Sequence, residues 1–482
     1  MLLLLSAAAA AAQPTVAAAQ TPTVSAPTPW PLKTPAELKK LHGPTFVGMQ
    51  VLTYRREQQP AVEGAAPEVT IGIGRSFLVY EDGDDRRVID LRLARIYELN
   101  RKRYVNSPLA AELDLRDSDL RNRNLQSRPV AAAGGPDKAG AGPDPFWDAT
   151  ELKVTAPNER APATETRQDG GDTVFAYKGE EVMRWRPTDK PLPSSVSGNL
   201  GRALLWFWPG HPSLHAKIAA GGRAPQHFLV RWRSGGEMRT DDYRLTGSRW
   251  CDTCAALPDD AQPGLLTGGF FESDLAPIMT AAVEGKISMV TSEDYLRRIA
   301  AALDRDAPLQ AFLVFLERAL QYDTRRCSPS DAGDYCGVIN RLLAQVQGNA
   351  QIQTFRRNLG AQSVPAAKAI ADLRKQAGPY APYIDLATVN ATPPAAFWFK
   401  ASDQEPLRTA ERLMASALDG MPMVPAVYRD IGNMYFAAVH PRKAWLTWEM
   451  GKAVQGRSSD RKLWHQAEKA ETQARQRHPD FF

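Results

Sequence analysis

Nowhere in these 482 residues do apolar side chains continue for the ~18 positions that a membrane-spanning helix requires. The opening MLLLLSAAAAAA is too short for one. Its apolar run followed by small residues instead suits the core and cleavage region of a secretory signal, with Ala12 or Ala19 as the last residue removed. The positively charged start of such a signal is missing, so a cytosolic chain with an Ala-rich beginning is the alternative. No cysteine follows the small residues, which excludes a lipid anchor at that point. Charge of one sign is also missing: 59 basic residues stand against 54 acidic ones, a net charge of +5. No basic stripe is interleaved with aromatics, so nucleic acid is not an expected partner. There is no phosphate loop, no Gly-x-Ser-x-Gly elbow and no calcium loop. Gly72-Ile73-Gly74 lacks the third glycine and the helix of a dinucleotide site. The acidic clusters at 81–85 and 259–260 suit turns better than paired catalytic carboxylates. No cofactor, metal or catalytic residue is therefore expected, and a non-enzymatic role follows.

What is present is enough for ordinary cores: 43% apolar residues over a length that suggests roughly three domains. Residues 1–19 form the signal-like segment. Residues 20–44 form an Ala/Thr/Pro-rich lead-in and a short helix, with Thr34 as N-cap and Pro35 at its first position. From 45 to 258 the chain predicts an antiparallel α+β domain. Strands fall at Phe46–Tyr54, Val69–Ile73, Ser76–Tyr80 and Arg87–Leu91, with a turn at Glu81-Asp82-Gly83-Asp84. An amphipathic helix over Ser107–Gln126 precedes a low-complexity loop at 131–145. Further strands are expected at Thr150–Thr155, Thr173–Tyr177, Glu181–Arg186, His227–Trp232 and Glu237–Leu245. In its order of elements this part is similar to the open half-barrels of the periplasmic lipoprotein carriers, a curved meander with a helix over one face. Trp206, Phe207 and Trp208 are the densest aromatic run. They suit a core, or the edge of a pocket for a lipid or other apolar ligand.

From 270 to 482 the pattern is helical throughout. The segment VPAVYRDIGNMYFAAVHPRKAWLTWEMGKAV places Tyr428, Ile431, Tyr435 and Ala438 on one helix face, and Pro441 opens a second helix. Gly432 permits close approach of that neighbour, while Ala444, Trp448 and Gly451 form a small–large–small stripe. On these residues the segment resembles a tetratricopeptide repeat. Stepping back by about 34 residues, the length of that unit, maps Ala444 onto Ala410 and Gly451 onto Ala417. The helix Glu405–Leu418 thus resembles the second helix of a degenerate repeat, whose first would lie at Pro394–Ala401. The polar last helix, with Trp464, suits a capping helix. The resemblance implies a stacked helical array that binds a protein or peptide. It assigns Arg429 and Asn433 to the positions that grip a peptide carboxylate; a solvated Arg and a helix-interior Asn are the plainer alternative.

Three further groups contain residue types that could bear chemistry. Cys251-Asp252-Thr253-Cys254 after Trp250 looks like a thioredoxin-type redox motif, but the Pro- and Gly-containing stretch that follows offers no helix to stabilise a thiolate. Structural disulfides Cys251–Cys254 and Cys327–Cys336 are the simpler reading, and a four-cysteine zinc site the third. His211 and His215 lie four apart, without the glutamate of a zinc protease or a third ligand, and are expected at the surface or partly packed. The whole predicts an exported or periplasmic interaction protein, possible envelope association included. Its rivals are an apolar-ligand carrier and a thiol–disulfide enzyme.

Overall fold

The computed structural model describes residues 33–61, 67–133, 144–156, 162–234, 237–264, 275–322, 327–328, 333–393, 405–454 and 461–482. The protein is α+β: a 12-stranded, mostly antiparallel sheet in the first half and an all-helical region in the second. The chain divides into two compact units, one of Pro31–Gly264 with Glu468–Phe482 and one containing Leu265–Ala467.

The sheet unit opens with α1 (Pro35–His42). Thr34 and Glu37 form a reciprocal capping box at its start, and Gly43 ends it at a φ of 62°. Six strands then follow as a meander: β1 (Val47–Gln59), β2 (Glu68–Gly74), β3 (Phe77–Asp82), β4 (Asp85–Asp90), β5 (Arg95–Asn100) and β6 (Arg103–Pro108). Two helices cross next, α2 (Leu109–Ala133) and α3 (Pro145–Leu152). The chain re-enters at the far edge with β7 (Thr164–Asp169), β8 (Asp172–Tyr177) and β9 (Glu180–Pro187). Three helices intervene, α4 (Ser194–Ser197), α5 (Leu200–Phe207) and α6 (Pro212–Ala219). β10 (Pro225–Ser234) and β11 (Glu237–Ala255) then work inward until β11 pairs with β1, joining the two meanders. The short β12 (Gln262–Pro263) runs parallel to β6 at the edge.

Alternation in the strands gives the sheet two buried faces. One presents Leu52, Tyr54, Ile71, Leu78, Ile89, Ile96, Phe228 and Tyr243 to α2, α3, α5 and α6. The other carries Asp90, whose carboxylate meets His42 of α1 at 2.6 Å with both side chains fully buried.

Three expectations are corrected here. The strand at Thr150–Thr155 is instead α3 and its exit, because Asp144 caps the Phe146 amide and Pro145 takes the first helical position. The helix expected to end at Gln126 continues to Ala133, into the segment read as a loop. The helical region does not keep the chain to residue 482: Glu468–Phe482 packs with the sheet unit. There His478 and Arg477 bond Asp117 of α2, and the Trp206 indole N–H donates to the Phe481 carbonyl. Burial of Phe481 against Trp206 supplies the apolar contact.

The helical unit runs α7 (Leu275–Val283), α8 (Ser292–Asp304), α9 (Pro308–Gln321), α10 (Asp334–Val346), α11 (Ala350–Asn358), α12 (Val364–Ala371), α13 (Arg374–Ala377), α14 (Ala381–Ala391), α15 (Glu405–Gly420), α16 (Pro425–Ala437) and α17 (Pro441–Ala453). α18 (His465–Arg477) carries the chain from this unit into the other. α16 packs on α17 through Gly432, where the Trp448 indole occupies the space a Cβ would need. Gly451 is equally close to Tyr428 and Trp464, at 2.5 Å from its would-be Cβ. Residues 394–401, expected as the partner of α15, lie outside the described residues. Among those described, α14 packs along α15.

Candidate functional site

Near the β3–β4 and β5–β6 hairpins, the helix-covered face of the sheet changes from apolar to polar. Register sets this row: Tyr80 lies opposite Arg87, Arg87 opposite Glu98, and Glu98 opposite Val105. These side chains therefore share one face. Phe207, at the end of α5, stacks on Tyr80 with ring centroids 5.3 Å apart. Trp206, Phe207 and Lys153 complete a cavity of about 540 Å³ whose floor is formed by β3 to β6. That volume falls in the range of small-molecule sites, about 300–1,000 Å³.

Most polar groups of the lining have side-chain partners. Asp82 takes two bonds from the Arg56 guanidinium, at 2.7 and 2.9 Å. Arg87 bonds Glu98 at 2.7 Å, Asn100 bonds Asp85 at 3.3 Å, and Arg86 pairs with Glu81 at 2.8 Å. Lys153 differs. It caps α3 in the left-handed conformation (φ 60°, ψ 23°), and its amine donates to the Trp206 carbonyl at 3.0 Å. Burial pushes the Lys153 ammonium well below the usual lysine range, the charges of Arg116 and Arg87 push it further, and Glu112 opposes them. Arg116 itself lies over the Trp206 ring, 4.9 Å from its centroid.

Of the aromatic run, Trp206 and Phe207 reach the cavity and Trp208 does not. Trp208 is fully buried between Phe228 and Tyr243, at 4.5 and 4.8 Å, with Tyr54 edge-on. Tyr80, Arg87 and Lys153 were not singled out in the sequence. The only local clue was a lysine where glycine or asparagine commonly ends a helix.

His211 and His215 are core residues, 2% and 0% exposed, rather than surface or partly packed ones. His211 caps α6 and stacks on Phe146, with centroids 5.2 Å apart. His215 meets the Pro209 carbonyl at 3.2 Å. Burial pushes His211 down to about 4 and His215 down to about 3, the latter helped by the charge of Lys153. Among the described residues, no group of acids, histidines and cysteines is arranged to hold a metal ion.

The cysteines form two bridges, Cys251–Cys254 and Cys327–Cys336. Cys251 and Cys254 both lie within β11. Val47 pairs with Ala255 and Met49 with Cys251, so four steps on β11 oppose two on β1. The bridge closes this bulge, and no helix begins at either sulfur to stabilise a thiolate.

Arg429 and Asn433 share α16 in the helical unit. The Arg429 guanidinium is held by its neighbour Asp430 at 2.7 Å, and Asp430 also accepts from Asn390 of α14 at 2.8 Å. The Asn433 side-chain oxygen is buried with no hydrogen-bond partner among the described residues. Among the described residues no helix is long and apolar enough to cross a membrane. No family model, no curated protein and no solved structure matches this chain.

Proposed function

We propose that this is an exported, non-enzymatic binding protein whose sheet unit holds a small, partly apolar ligand. The supporting observation is the cavity of about 540 Å³, walled by Phe207, Trp206 and Tyr80 above a floor of paired charges. Apolar walls with a few oriented polar groups are what a ligand site needs. The bridged cysteines accord with an oxidising compartment. A neutral, polarity-sensitive naphthylamine probe is expected to bind the purified protein saturably. Phe207→Asp should weaken that binding at least tenfold by placing a carboxylate on the apolar wall. Absence of saturable uptake, or a Phe207→Asp variant that binds as well as wild type, would defeat the reading.

A second reading concerns the helical unit, as a tetratricopeptide-like surface for a protein or peptide partner. Arg429 and Asn433, one turn apart on α16, favour it, since a guanidinium and an amide at that spacing can grip a peptide's carboxylate. Affinity capture from the cell envelope should lose the same partner with Asn433→Ala as with Arg429→Glu/Asn433→Ala. Arg429→Glu sets a carboxylate beside Asp430, so the single Asn433 variant guards against a mere folding defect. Equal captures by all three proteins would remove the contact assignment. A thiol-exchange role has less support, because the Cys251–Cys254 bridge sits in a strand.

A further inference from the structure

Among the charged side chains of the lining, Lys153 makes its hydrogen bond to a backbone oxygen rather than to another side chain. An ammonium has three donors. One is taken by the Trp206 carbonyl, and no carboxylate is placed to take another at bonding distance among the described residues. The left-handed backbone at Lys153 adds to this. Glycine or asparagine adopts that conformation more readily, yet a long cationic side chain stands there, directed at the cavity.

Two guanidiniums act on the same amine, those of Arg116 and Arg87. Arg87 is already paired with Glu98 and Arg116 with Glu112, which leaves the amine as the group a new oxyanion would meet. An oxyanion would satisfy the amine's spare donors and offset the neighbouring charge. Trp206, Phe207, Tyr80 and Val105 meanwhile give the rest of the ligand an apolar wall. Resting on the reading of the cavity as a ligand site, we infer that it takes a single-chain amphiphile with an oxyanion head, the head on Lys153 and the chain along Phe207.

The head can be a carboxylate or a phosphate monoester, and competition separates the two. Dodecanoate, dodecyl phosphate and dodecanol would each be titrated against the bound naphthylamine probe, using full-length wild type and Lys153→Met. In wild type, at least one of the anions is expected to displace the probe at tenfold or more lower concentration than dodecanol. The stronger anion identifies the head group. In Lys153→Met the three should converge, with dodecanol unchanged, which also shows that the variant keeps its fold. Should Lys153→Met fail to fold, Lys153→Gln, which keeps most of the side-chain length and loses the charge, is titrated the same way. There too the anions should lose their advantage over dodecanol. Equal displacement by dodecanol and both anions in wild type, or an anion preference that survives loss of the Lys153 charge, overturns the inference. Failure of the probe itself to bind would instead remove the ligand-site reading beneath it.

Discussion

Lowering the pH from 8 to 5 is expected to cost the sheet unit about 4 kcal/mol of stability through His211 and His215 alone. Both imidazoles are enclosed, and burial holds them at about 4 and about 3 in the folded protein. In the unfolded chain each returns to the ordinary histidine value near 6.5. Between those limits the unfolded state takes up the protons first. The stability associated with each neutral ring is therefore complete above pH 6.5 and declines as pH falls, by about 2 kcal/mol per ring at pH 5. His227 acts in the opposite sense: Asp242 and Asp172 hold it above its usual value, so it favours the folded form on acidification. Denaturant titrations of wild type and His215→Gln at several pH values isolate the contribution. The variant should be weaker than wild type at pH 8 but lose about 2 kcal/mol less on going to pH 5. Equal pH slopes for the two proteins would show that His215 is not buried neutral.

Glu317 of α9 gives the helical unit the reverse response. Tyr295 donates to its carboxylate at 2.5 Å, and burial pushes the acid up to about 7. Stability tied to this group is complete below about pH 4.5 and lost as pH rises through 7. Glu317→Gln should flatten that decline, as read from the helical unit's unfolding.

Replacing Trp448 by alanine is expected to destabilise the helical unit by about 3–5 kcal/mol, the usual cost of removing a buried indole. Trp448 is 1% exposed, lies 5.5 Å from Phe436 and 5.3 Å from Trp445 between ring centroids, and fills the space over Gly432. Gly432→Ala alone brings two opposed effects. Alanine favours a helix over glycine by about 1 kcal/mol, but its methyl group would collide with the rigid indole, and overpacking costs about 1–3 kcal/mol. The collision should prevail, because an indole locked between two rings cannot turn aside. In Gly432→Ala/Trp448→Ala the methyl enters vacated space. The double variant should then be more stable than the sum of the single changes predicts, by about 1 kcal/mol or more. Additive losses would mean that α16 and α17 do not meet through this pair.

Much of the secondary structure was legible because its signals are local. Thr34, Pro35 and Glu37 start α1 within a span of four residues, and the hairpin turn at Asp82-Gly83-Asp84 lies where β3 gives way to β4. Period-2 alternation marked several strands, and the face of α16 repeated at helical spacing, so the α+β class followed from short windows. Where windows conflicted, sequence reasoning lost. The apolar and β-branched residues near Thr150 suggested a strand, while Asp144-Pro145, at the edge of a low-complexity stretch, carried the helix cap. The polar last helix gave no sign that Phe481 and His478 leave the helical unit for Trp206 and Asp117.

The sequence by itself determined the kinds of element, their approximate limits and the aromatic and cysteine positions from which a site could be drawn. Only the tertiary structure decided which of these residues meet. Tyr80, Glu98, Lys153 and Phe207 are brought together by strand register and by helices returning over the sheet, after intervening stretches of many residues. Trp208, one position from Phe207, is turned into the core instead. Backbone preference acts over a turn or a strand, so it can be read along the chain. A cavity is what remains when distant side chains pack, and its lining depends on that packing as a whole.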